Sequence, residues 1–419
     1  MAKKLNSVLG VDVGCQKIKI AEIKLQGREP IITALGIADT PEGAVDHTGI
    51  YNGEAVGQVL KELAAGAGAT VTHVVVSIAG QGSVLVRTLE VPRMNPGELK
   101  EHMNWEVQRN IPFSESNVVS DFEAFEPEDP NAQNLDVVMA ISPQSAIDTV
   151  VGLVKKAGKQ TAAIDVEPLG IARSLMASHS DDLAGATVCV VDIGHKTTSI
   201  NIYKNGKLLM PRQVPIGGEM LTRAIADGMN VTFEEAEDIK RNRASIPESA
   251  NVGGAAFAGG MGAQTQQFSP YNPFADDPMM MNPGLLPPEM QPEAEAEPDP
   301  EPAPQASTGA VDPETNRIFN TMASILEEFV AEVRRSIDYF RSKGGDVDRL
   351  ELCGGGSKLR GLSDFLGKSV GIQSELYDPL RNLSIQARKL DPEIVEHHRQ
   401  DFAIAVGNGL HIAFDRTTR

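Results

Sequence analysis

Apolar and polar residues alternate along this chain in short strand-like and helix-like periods. Residues 5–38 predict three strands separated by short turns. Apolar positions at helical spacing predict a helix over Asn52–Ala65, and His73–Ile78 has the composition of a short buried strand. A second strand pair is predicted at Val190–Ile202, again followed by helices. Strands that alternate with helices in this way predict an α/β fold.

Each of the two strand pairs contains the same turn. Gly10–Ile20 and Val190–Ile202 both consist of an apolar run, an aspartate, any residue, a glycine, a polar loop and a second apolar run. This pattern predicts a β-hairpin whose turn carries one carboxylate, Asp12 or Asp192. Such an aspartate often only satisfies its own backbone. Its repetition favours a second role, in which two carboxylates reach an anionic phosphate through Mg²⁺, a cation that prefers oxygen ligands.

A third glycine motif supports a phosphate-binding or nucleotide-binding role. Leu350–Leu366 has the pattern of a buried strand, a glycine triplet at 354–356 and a helix. The glycines allow a ligand to approach the backbone, and the helix offers its N-terminus. The order hairpin, hairpin, strand–glycine triplet–helix is much more specific than any of its parts.

The segment between the first strands and the second hairpin predicts a separate small unit. Residues 80–165 follow a β-α-β-β-α order, with a helix over Asn95–Asn110. The chain's only tryptophan, Trp105, lies on the apolar side of that helix. Two roles are open for Trp105: packing in a core, or lining a groove for a partner.

Four further helices are predicted in the second half. A glycine pair opens the helix in VPIGGEMLTRAIADGM, and Thr232 with Glu235 forms the pattern of a capping box for the next one. A long amphipathic helix is predicted over Thr315–Arg341, and a final helix over Asp401–Phe414.

Composition separates one segment from the rest. Residues 247–313 hold 13 of the 26 prolines and an acidic tract, which predicts a disordered insertion. Apolar residues within it at Tyr271, Phe274 and 279–281 are either a partner-binding motif or part of a solvated linker.

Charge and cysteine content narrow the class of protein. The net charge is −19, but 11 acidic residues lie in the lysine- and arginine-free stretch 244–316, so the remainder carries only −8. A nucleic-acid-binding surface is therefore not expected. Three widely spaced cysteines, Cys15, Cys189 and Cys353, form neither a metal pattern nor a disulfide framework, which favours the cytoplasm. No signal peptide or membrane-spanning segment is expected.

With these motifs in this order, the chain resembles the actin-like ATPase superfamily and, within it, the PilM family of type IV pilus assembly proteins, which is similar to the cell-division protein FtsA. LGVDVGCQKIKIAEI and VVDIGHKTTSINI match the two phosphate motifs, AEDIK matches a helix at the base, and LCGGGSKLRGL matches the adenosine motif.

The resemblance implies a two-lobed actin-like (ribonuclease H-like) α/β fold with an inserted small α+β subdomain. The implied division is a first lobe at 1–79, the inserted subdomain at 80–165, and a second lobe at 166–246 and 314–400 that flanks the insertion 247–313. A closing helix at 401–419 would return to the first lobe.

The resemblance also implies cofactors and roles for individual residues. ATP would bind with Mg²⁺, which Asp12 and Asp192 would hold mainly through water, and Glu167 is the candidate general base. Lys19 would place a cation near the phosphates, unless it is a surface lysine on a strand. The remaining implied contacts are backbone amides for the phosphates at Gly14, Cys15, Gln16 and Gly194, phosphate or ribose contacts at Gly217 and Gly218, ribose and adenine contacts at Glu237 and Lys240, and an adenosine-flanking group at Gly355, Gly356 and Lys358.

Some of these positions leave alternatives open. Glu237 and Lys240 are also spaced for an ion pair on a solvated helix face. The first phosphate loop has Cys15–Gln16, and the second has His195–Lys196, where the family has small hydroxyl residues. Backbone contacts survive such changes but hydroxyl contacts do not, so ATP binding with at most slow hydrolysis is expected.

The expected function is a cytoplasmic, ATP-binding scaffold for a type IV pilus or a related secretion machinery, peripheral at the inner face of the cytoplasmic membrane. Its implied partner is the N-terminal cytoplasmic tail of a PilN-like membrane protein, with self-association also allowed and membrane contact only indirect. The first alternative is an FtsA-like division protein, which is disfavoured because the chain stops soon after the closing helix, at DRTTR. The second alternative is a small-molecule kinase of the same fold. It is disfavoured because the sequence offers no clear aspartate for an acceptor site.

Overall fold

The computed structural model describes residues 5–115, 117–126, 131–179, 181–250 and 312–414. Most of the predicted insertion at 247–313 therefore lies outside the described residues. The strands, in chain order, are β1 (Ser7–Val13), β2 (Lys17–Gln26), β3 (Glu29–Asp39), β4 (His73–Ile78), β5 (Leu85–Pro92), β6 (Val118–Phe125), β7 (Asn134–Pro143), β8 (Gln160–Val166), β9 (Thr187–Ile193), β10 (Thr198–Lys204), β11 (Lys207–Val214), β12 (Arg349–Cys353), β13 (Ser374–Leu376) and β14 (Ser384–Ile385).

The described helices connect and cover these strands. In chain order they are α1 (Gly53–Gly66), α2 (Pro96–Asn110), α3 (Gln144–Lys156), α4 (Glu167–Ser178), α5 (Gly218–Met229), α6 (Phe233–Asn242), α7 (Pro313–Ser342), α8 (Leu362–Val370), α9 (Pro392–His397), α10 (Ala403–Gly409) and α11 (His411–Phe414). No helix within the described ranges is both long enough and apolar enough to cross a bilayer.

Two large sheets are built on the same plan. The first has the order β14-β3-β2-β1-β4-β8 and the second the order β11-β10-β9-β12-β13. In each sheet the first strand of a three-stranded antiparallel meander pairs in parallel with a further strand, β4 or β12. A second parallel strand, β8 or β13, pairs in turn with that strand. The continuous apolar runs of β1 and β9 fit this arrangement, because both are central strands and both faces of each strand are buried. Each sheet with its helices is one lobe.

A small third sheet, β5-β7-β6, carries α2 on one face. Asn95 caps α2, accepting hydrogen bonds from the amides of Gly97 and Glu98. Val91, Leu99 and Met103 form part of the shared core. Trp105 is not in that core, because its side chain is 54% exposed. The core-packing role considered for Trp105 is therefore wrong.

The predicted end of the small unit at residue 165 is also wrong. Strand β8 pairs in parallel with β4 and completes the first sheet. Helix α3 packs in the first-lobe core through Val150, Leu153 and Val154. Both elements belong to the first lobe, and the small sheet ends with β7. The parallel partner of β8 lies more than 80 residues earlier in the chain, so local periodicity carries no information about it.

The chain also returns to the first lobe earlier than predicted. Strand β14 pairs with β3 at Ser384 and Ile385, and Ile394 of α9 packs in a first-lobe cluster. Ser384, Ile385 and Ile394, assigned to the second lobe from the sequence, therefore lie against the first lobe.

The predicted final helix over Asp401–Phe414 is interrupted. A 3-10 turn at Arg399–Phe402 precedes α10, and α11 follows after one residue. Helix α10 packs on β1 and α4 at glycine contacts that leave no room for a side chain. A Cβ on Gly10 would lie 2.0 Å from the Ala405 carbonyl oxygen, and one on Gly407 would lie 1.8 Å from the Gly170 oxygen. The buried amide of Asn408 donates to the Val11 oxygen at 2.8 Å, which ties α10 to the strand that carries Asp12.

Candidate functional site

The two hairpin turns and the glycine triplet open into one cleft between the lobes. The cleft encloses about 480 Å³, within the usual range for small-molecule sites. Both aspartates lie near the ends of central strands, Asp12 in β1 and Asp192 in β9. Of the fifteen residues predicted for the site, fourteen line the cleft: Asp12, Gly14, Cys15, Gln16, Lys19, Glu167, Asp192, Gly194, Gly218, Glu237, Lys240, Gly355, Gly356 and Lys358. The exception is Gly217, which caps α5.

Lys19 is not a surface lysine, so that alternative is wrong. It faces Asp12 across the β1–β2 ladder, and its ammonium lies 2.7 Å from the Asp12 carboxylate. Burial lowers the pKa of Lys19, but the bonded Asp12 carboxylate more than offsets this and holds the pKa above its ordinary value. The position of Lys19 in the first hairpin is taken by Ser199 in the second, so only one lobe supplies this cation.

Three carboxylates converge beside this lysine. Burial, followed by repulsion from Asp12 and Asp192, raises the pKa of Glu167 to about 8. Burial and repulsion from Asp12 raise the pKa of Asp192 to about 6. Carboxylates that repel one another in this way suit a divalent cation, because the cation would remove the repulsion.

These pKa shifts predict a pH-dependent stability. The pKa of Glu167 is about 8 in the folded protein and 4.5 when unperturbed, so between these values the folded state binds more protons. Stability is therefore expected to fall as the pH rises through this window. Glu167→Gln removes the ionisation, so its melting temperature in EDTA should match wild type near pH 5 and exceed it near pH 8. The exposed Glu328→Gln is the control, and equal pH profiles for Glu167→Gln and wild type would contradict the assignment.

The backbone amides of the two hairpin turns have hydrogen-bond partners that differ in part from the prediction. The amide of Gly14 donates to the Lys17 oxygen at 3.0 Å, and that of Gly194 to the Thr197 oxygen at 2.9 Å. Both amides close their own turns, so the prediction that they face a phosphate is wrong for this structure. The amides at the tips, Cys15–Gln16 and His195–Lys196, are the ones left to face a ligand.

Glu237 and Lys240 form an ion pair, and they also line the cleft. The Lys240 ammonium lies 2.6 Å from a Glu237 oxygen and 2.6 Å from the Thr222 hydroxyl, and it donates to the Gly218 oxygen at 3.0 Å. Burial would raise the pKa of Glu237, but the hydrogen bonds from Lys240 and Thr222 lower it to about 2. The pair therefore has two roles. It fixes the start of α5, and it presents charged groups to the cleft.

The glycine triplet lies directly against Asp192. Gly354 has φ +79°, and a Cβ there would lie 2.3 Å from an Asp192 carboxylate oxygen, so only glycine fits. The triplet leads into a 3-10 turn, Gly355–Lys358, and α8 begins only at Leu362. The helix predicted to follow the triplet directly therefore starts later, because Gly361 in the left-handed conformation separates the two.

Asp401 is a cleft residue that sequence reasoning missed. One of its oxygens accepts from Lys358 at 2.7 Å and contacts His398 at 2.6 Å, while the other has no hydrogen-bond partner among the described residues. Burial raises the pKa of Asp401, but the contacts with His398 and Lys358 outweigh it, and the pKa lies below its ordinary value. The sequence feature that could have indicated Asp401 is its position just before the glycine-containing closing helix.

Comparisons with known proteins place this arrangement in a family. A family model described as type IV pilus assembly protein PilM matches residues 10–253, more than half of the chain. The chain belongs to the PilM family of type IV pilus assembly proteins. A second model, described as cell division protein FtsA, matches residues 189–407.

The chain is also similar to a solved structure described as the PilM–PilN type IV pilus biogenesis complex. The TM-score is 0.73 at 24% identity, over 99% of this chain and 100% of that one. The predicted two-lobed actin-like fold with a small inserted subdomain is therefore confirmed.

Curated relatives are FtsA proteins. FtsA of Neisseria meningitidis serogroup B is 24% identical over 55% of this chain and 59% of its own length. FtsA of Bacillus subtilis is 33% identical over 21% of this chain and 19% of its own length. The chain thus spans less than two thirds of these relatives.

Proposed function

We propose that this protein is a cytoplasmic scaffold for the assembly of type IV pili or a related secretion machinery. It binds ATP with Mg²⁺ between its lobes and the N-terminal cytoplasmic tail of a PilN-like inner-membrane protein on its surface. Nucleotide binding is supported by one observation: Asp12, Asp192 and the glycine triplet meet in one cleft. The partner part rests on family membership and on the likeness to a PilM–PilN complex.

The residues present fit the cation and the nucleotide. Asp12 and Asp192 offer hard oxygen ligands. Gly354 lets the glycine triplet pack against Asp192, where a Cβ would not fit. Bound Mg²⁺ would neutralise phosphate charge, with Lys19 as a second cation beside it. Glu237, Lys240, Gly355, Gly356 and Lys358 would hold the nucleoside.

Turnover is proposed to be slow. Glu167 is the candidate general base, and in the metal-free protein burial raises its pKa to about 8, so that it is mostly protonated at pH 7. A protonated carboxyl cannot accept a proton. Neither phosphate turn carries a small hydroxyl residue at its tip. A rate below ~1 per second, at the bottom of the ordinary enzyme range, is consistent with a scaffold.

The tail is proposed to dock beside the small sheet. Strand β6 is an edge strand there, and an extended peptide can add to such an edge by main-chain hydrogen bonds. Trp105 lies on the same unit with its ring open to solvent, near Arg109 at 5.3 Å. Exposed tryptophans are frequent anchors of binding surfaces.

Trp105 is the chain's only tryptophan, so its fluorescence reports on this surface alone. Titration with a synthetic PilN-like tail peptide is expected to shift its emission. In calorimetry, Trp105→Ala should weaken peptide binding by at least about 2 kcal/mol, as for an interface anchor. Tyr51, an aromatic residue that is more exposed than Trp105, is replaced by alanine as the control.

The same titration with Mg²⁺-ATP tests the scaffold proposal, because closure of the lobes is expected to change the peptide affinity. A protein that binds neither peptide nor ATP would refute it. Binding to lipid vesicles without peptide binding would favour the FtsA-like alternative.

A further inference from the structure

Two basic side chains stand at the tip of the second hairpin turn, where no function has been assigned to them. His195 and Lys196 both line the cleft, with side chains 17% and 36% exposed. The backbone of this tip is fixed to the start of α5. The amide of Glu219 donates to the His195 oxygen at 2.8 Å, and a Cβ on Gly217 would lie 2.4 Å from that same oxygen. The backbone that carries the two side chains is therefore held at a defined place.

Glu219 is the charge that these cations face. One of its oxygens lies 4.0 Å from His195 Nε2 and 3.7 Å from Lys196 Nζ, while the other accepts from Arg223 at 2.6 Å. Distances of 3.7 Å and more are too long for hydrogen bonds. Within the described residues, neither His195 nor Lys196 donates a side-chain hydrogen bond, so both have donors to offer a ligand.

The opposite wall shows which ligand fits. Burial raises the pKa of the Cys15 thiol to about 11, and the nearby Lys196 ammonium partly opposes this, although the two residues belong to different lobes. The charge of Lys196 therefore reaches across the gap between the two hairpin tips. An anion with several acceptor oxygens fits between the two tips. It can accept hydrogen bonds from the tip amides and is attracted by the Lys196 ammonium.

We propose that His195 and Lys196 bind the phosphate chain of the nucleotide through their side chains, with Glu219 holding them in place when the cleft is empty. The inference rests on the proposed nucleotide function and extends it. It adds charge-assisted hydrogen bonds from side chains to the backbone contacts expected of this turn.

Protonation gives the inference a distinct signature. The groups that face His195 are Glu219, Lys240, Glu237 and Lys196. Burial lowers the pKa of His195 below its ordinary value, so the ring is mostly neutral at pH 7 in the empty cleft. A bound phosphate chain adds negative charge beside the ring and favours its protonated form. ATP binding should therefore be accompanied by proton uptake at His195.

Calorimetry of Mg²⁺-ATP binding at pH 7, in buffers with different heats of ionisation, measures both affinity and proton exchange. His195→Gln and Lys196→Gln are each expected to weaken ATP binding about 10-fold or more, the usual effect of losing a charged hydrogen bond. His195→Gln should also take up fewer protons than wild type, by up to one per ATP. Lys196→Gln should keep most of that uptake.

Arg223→Gln is the matched control, because Arg223 bonds to the same Glu219 but is 66% exposed and does not line the cleft. It should bind ATP within about 3-fold of wild type. Melting temperatures confirm that each variant is folded. Wild-type ATP affinity in both cleft variants, or unchanged proton uptake in His195→Gln, would overturn this inference and leave the proposed function standing. Failure of wild type itself to bind ATP would refute both.

Discussion

Asp192→Asn is expected to weaken Mg²⁺-ATP binding by about 100-fold and, at the same time, to raise the melting temperature of the nucleotide-free protein. The two effects have one cause. Burial, followed by repulsion from Asp12, raises the pKa of Asp192 to about 6, so that it is mostly charged at pH 7.5. The amide removes this repulsion but also removes a carboxylate that would hold the proposed cation. Even partners that hold a metal through its outer shell are worth about 10- to 100-fold in affinity.

Asp12→Asn should weaken ATP binding to a similar degree but should destabilise the protein. Asp12 is the partner of the buried Lys19, at 2.7 Å, and breaking a buried ion pair from one side costs about 3–5 kcal/mol. The opposite signs of the two stability effects separate a role in the cation site from a general loss of folding.

Calorimetry with Mg²⁺-ATP and thermal unfolding in EDTA measure the two quantities on the same samples. Asp39→Asn is the control, since its side chain is 83% exposed and only pairs with Lys17. Unchanged ATP affinity in Asp192→Asn would remove the carboxylate pair from the proposed site. A fall in melting temperature for Asp192→Asn would contradict the repulsion among these carboxylates.

Local patterns predicted the hairpins and the helix caps because their causes are local. Thr232 accepts from the amide of Glu235, and the Glu235 carboxylate accepts from the amide of Thr232, as the capping box predicts. The hairpin glycines mark where β1 turns into β2 and β9 into β10. In such cases the residues that decide the structure lie within a few positions of each other.

Features that depend on distant parts of the chain could not be predicted in this way. Strand β8 joins the first sheet through β4, and β14 joins it through β3, and neither partner is close in sequence. Trp105 is exposed although its residue type favours a core. Asp401 lines the cleft because the closing segment lies against the glycine triplet. The Gly354 amide donates to the oxygen of Gln400, the residue before Asp401, at 3.0 Å.

Gly407→Ala is expected to destabilise the protein by about 2–3 kcal/mol or more, the range for inserting a methyl group into a packed interior. The new Cβ would lie 1.8 Å from the backbone oxygen of Gly170 in α4, and a backbone atom cannot rotate away as a side chain can. Gly152→Ala is the matched control, since Gly152 lies inside α3 with no atom within 4 Å of an added Cβ. That substitution should stabilise by up to about 1 kcal/mol, because alanine favours helix.

Denaturant unfolding of both variants measures these changes, and equal stability of Gly407→Ala and wild type would show that α10 is not seated so tightly. The same variant should also lose affinity for Mg²⁺-ATP. Helix α4 begins with Glu167, and Asn408, next to Gly407, holds the carbonyl of Val11 beside Asp12. Displacing α10 therefore shifts two carboxylates of the cleft, so a substitution outside the cleft should act on stability and on nucleotide binding together.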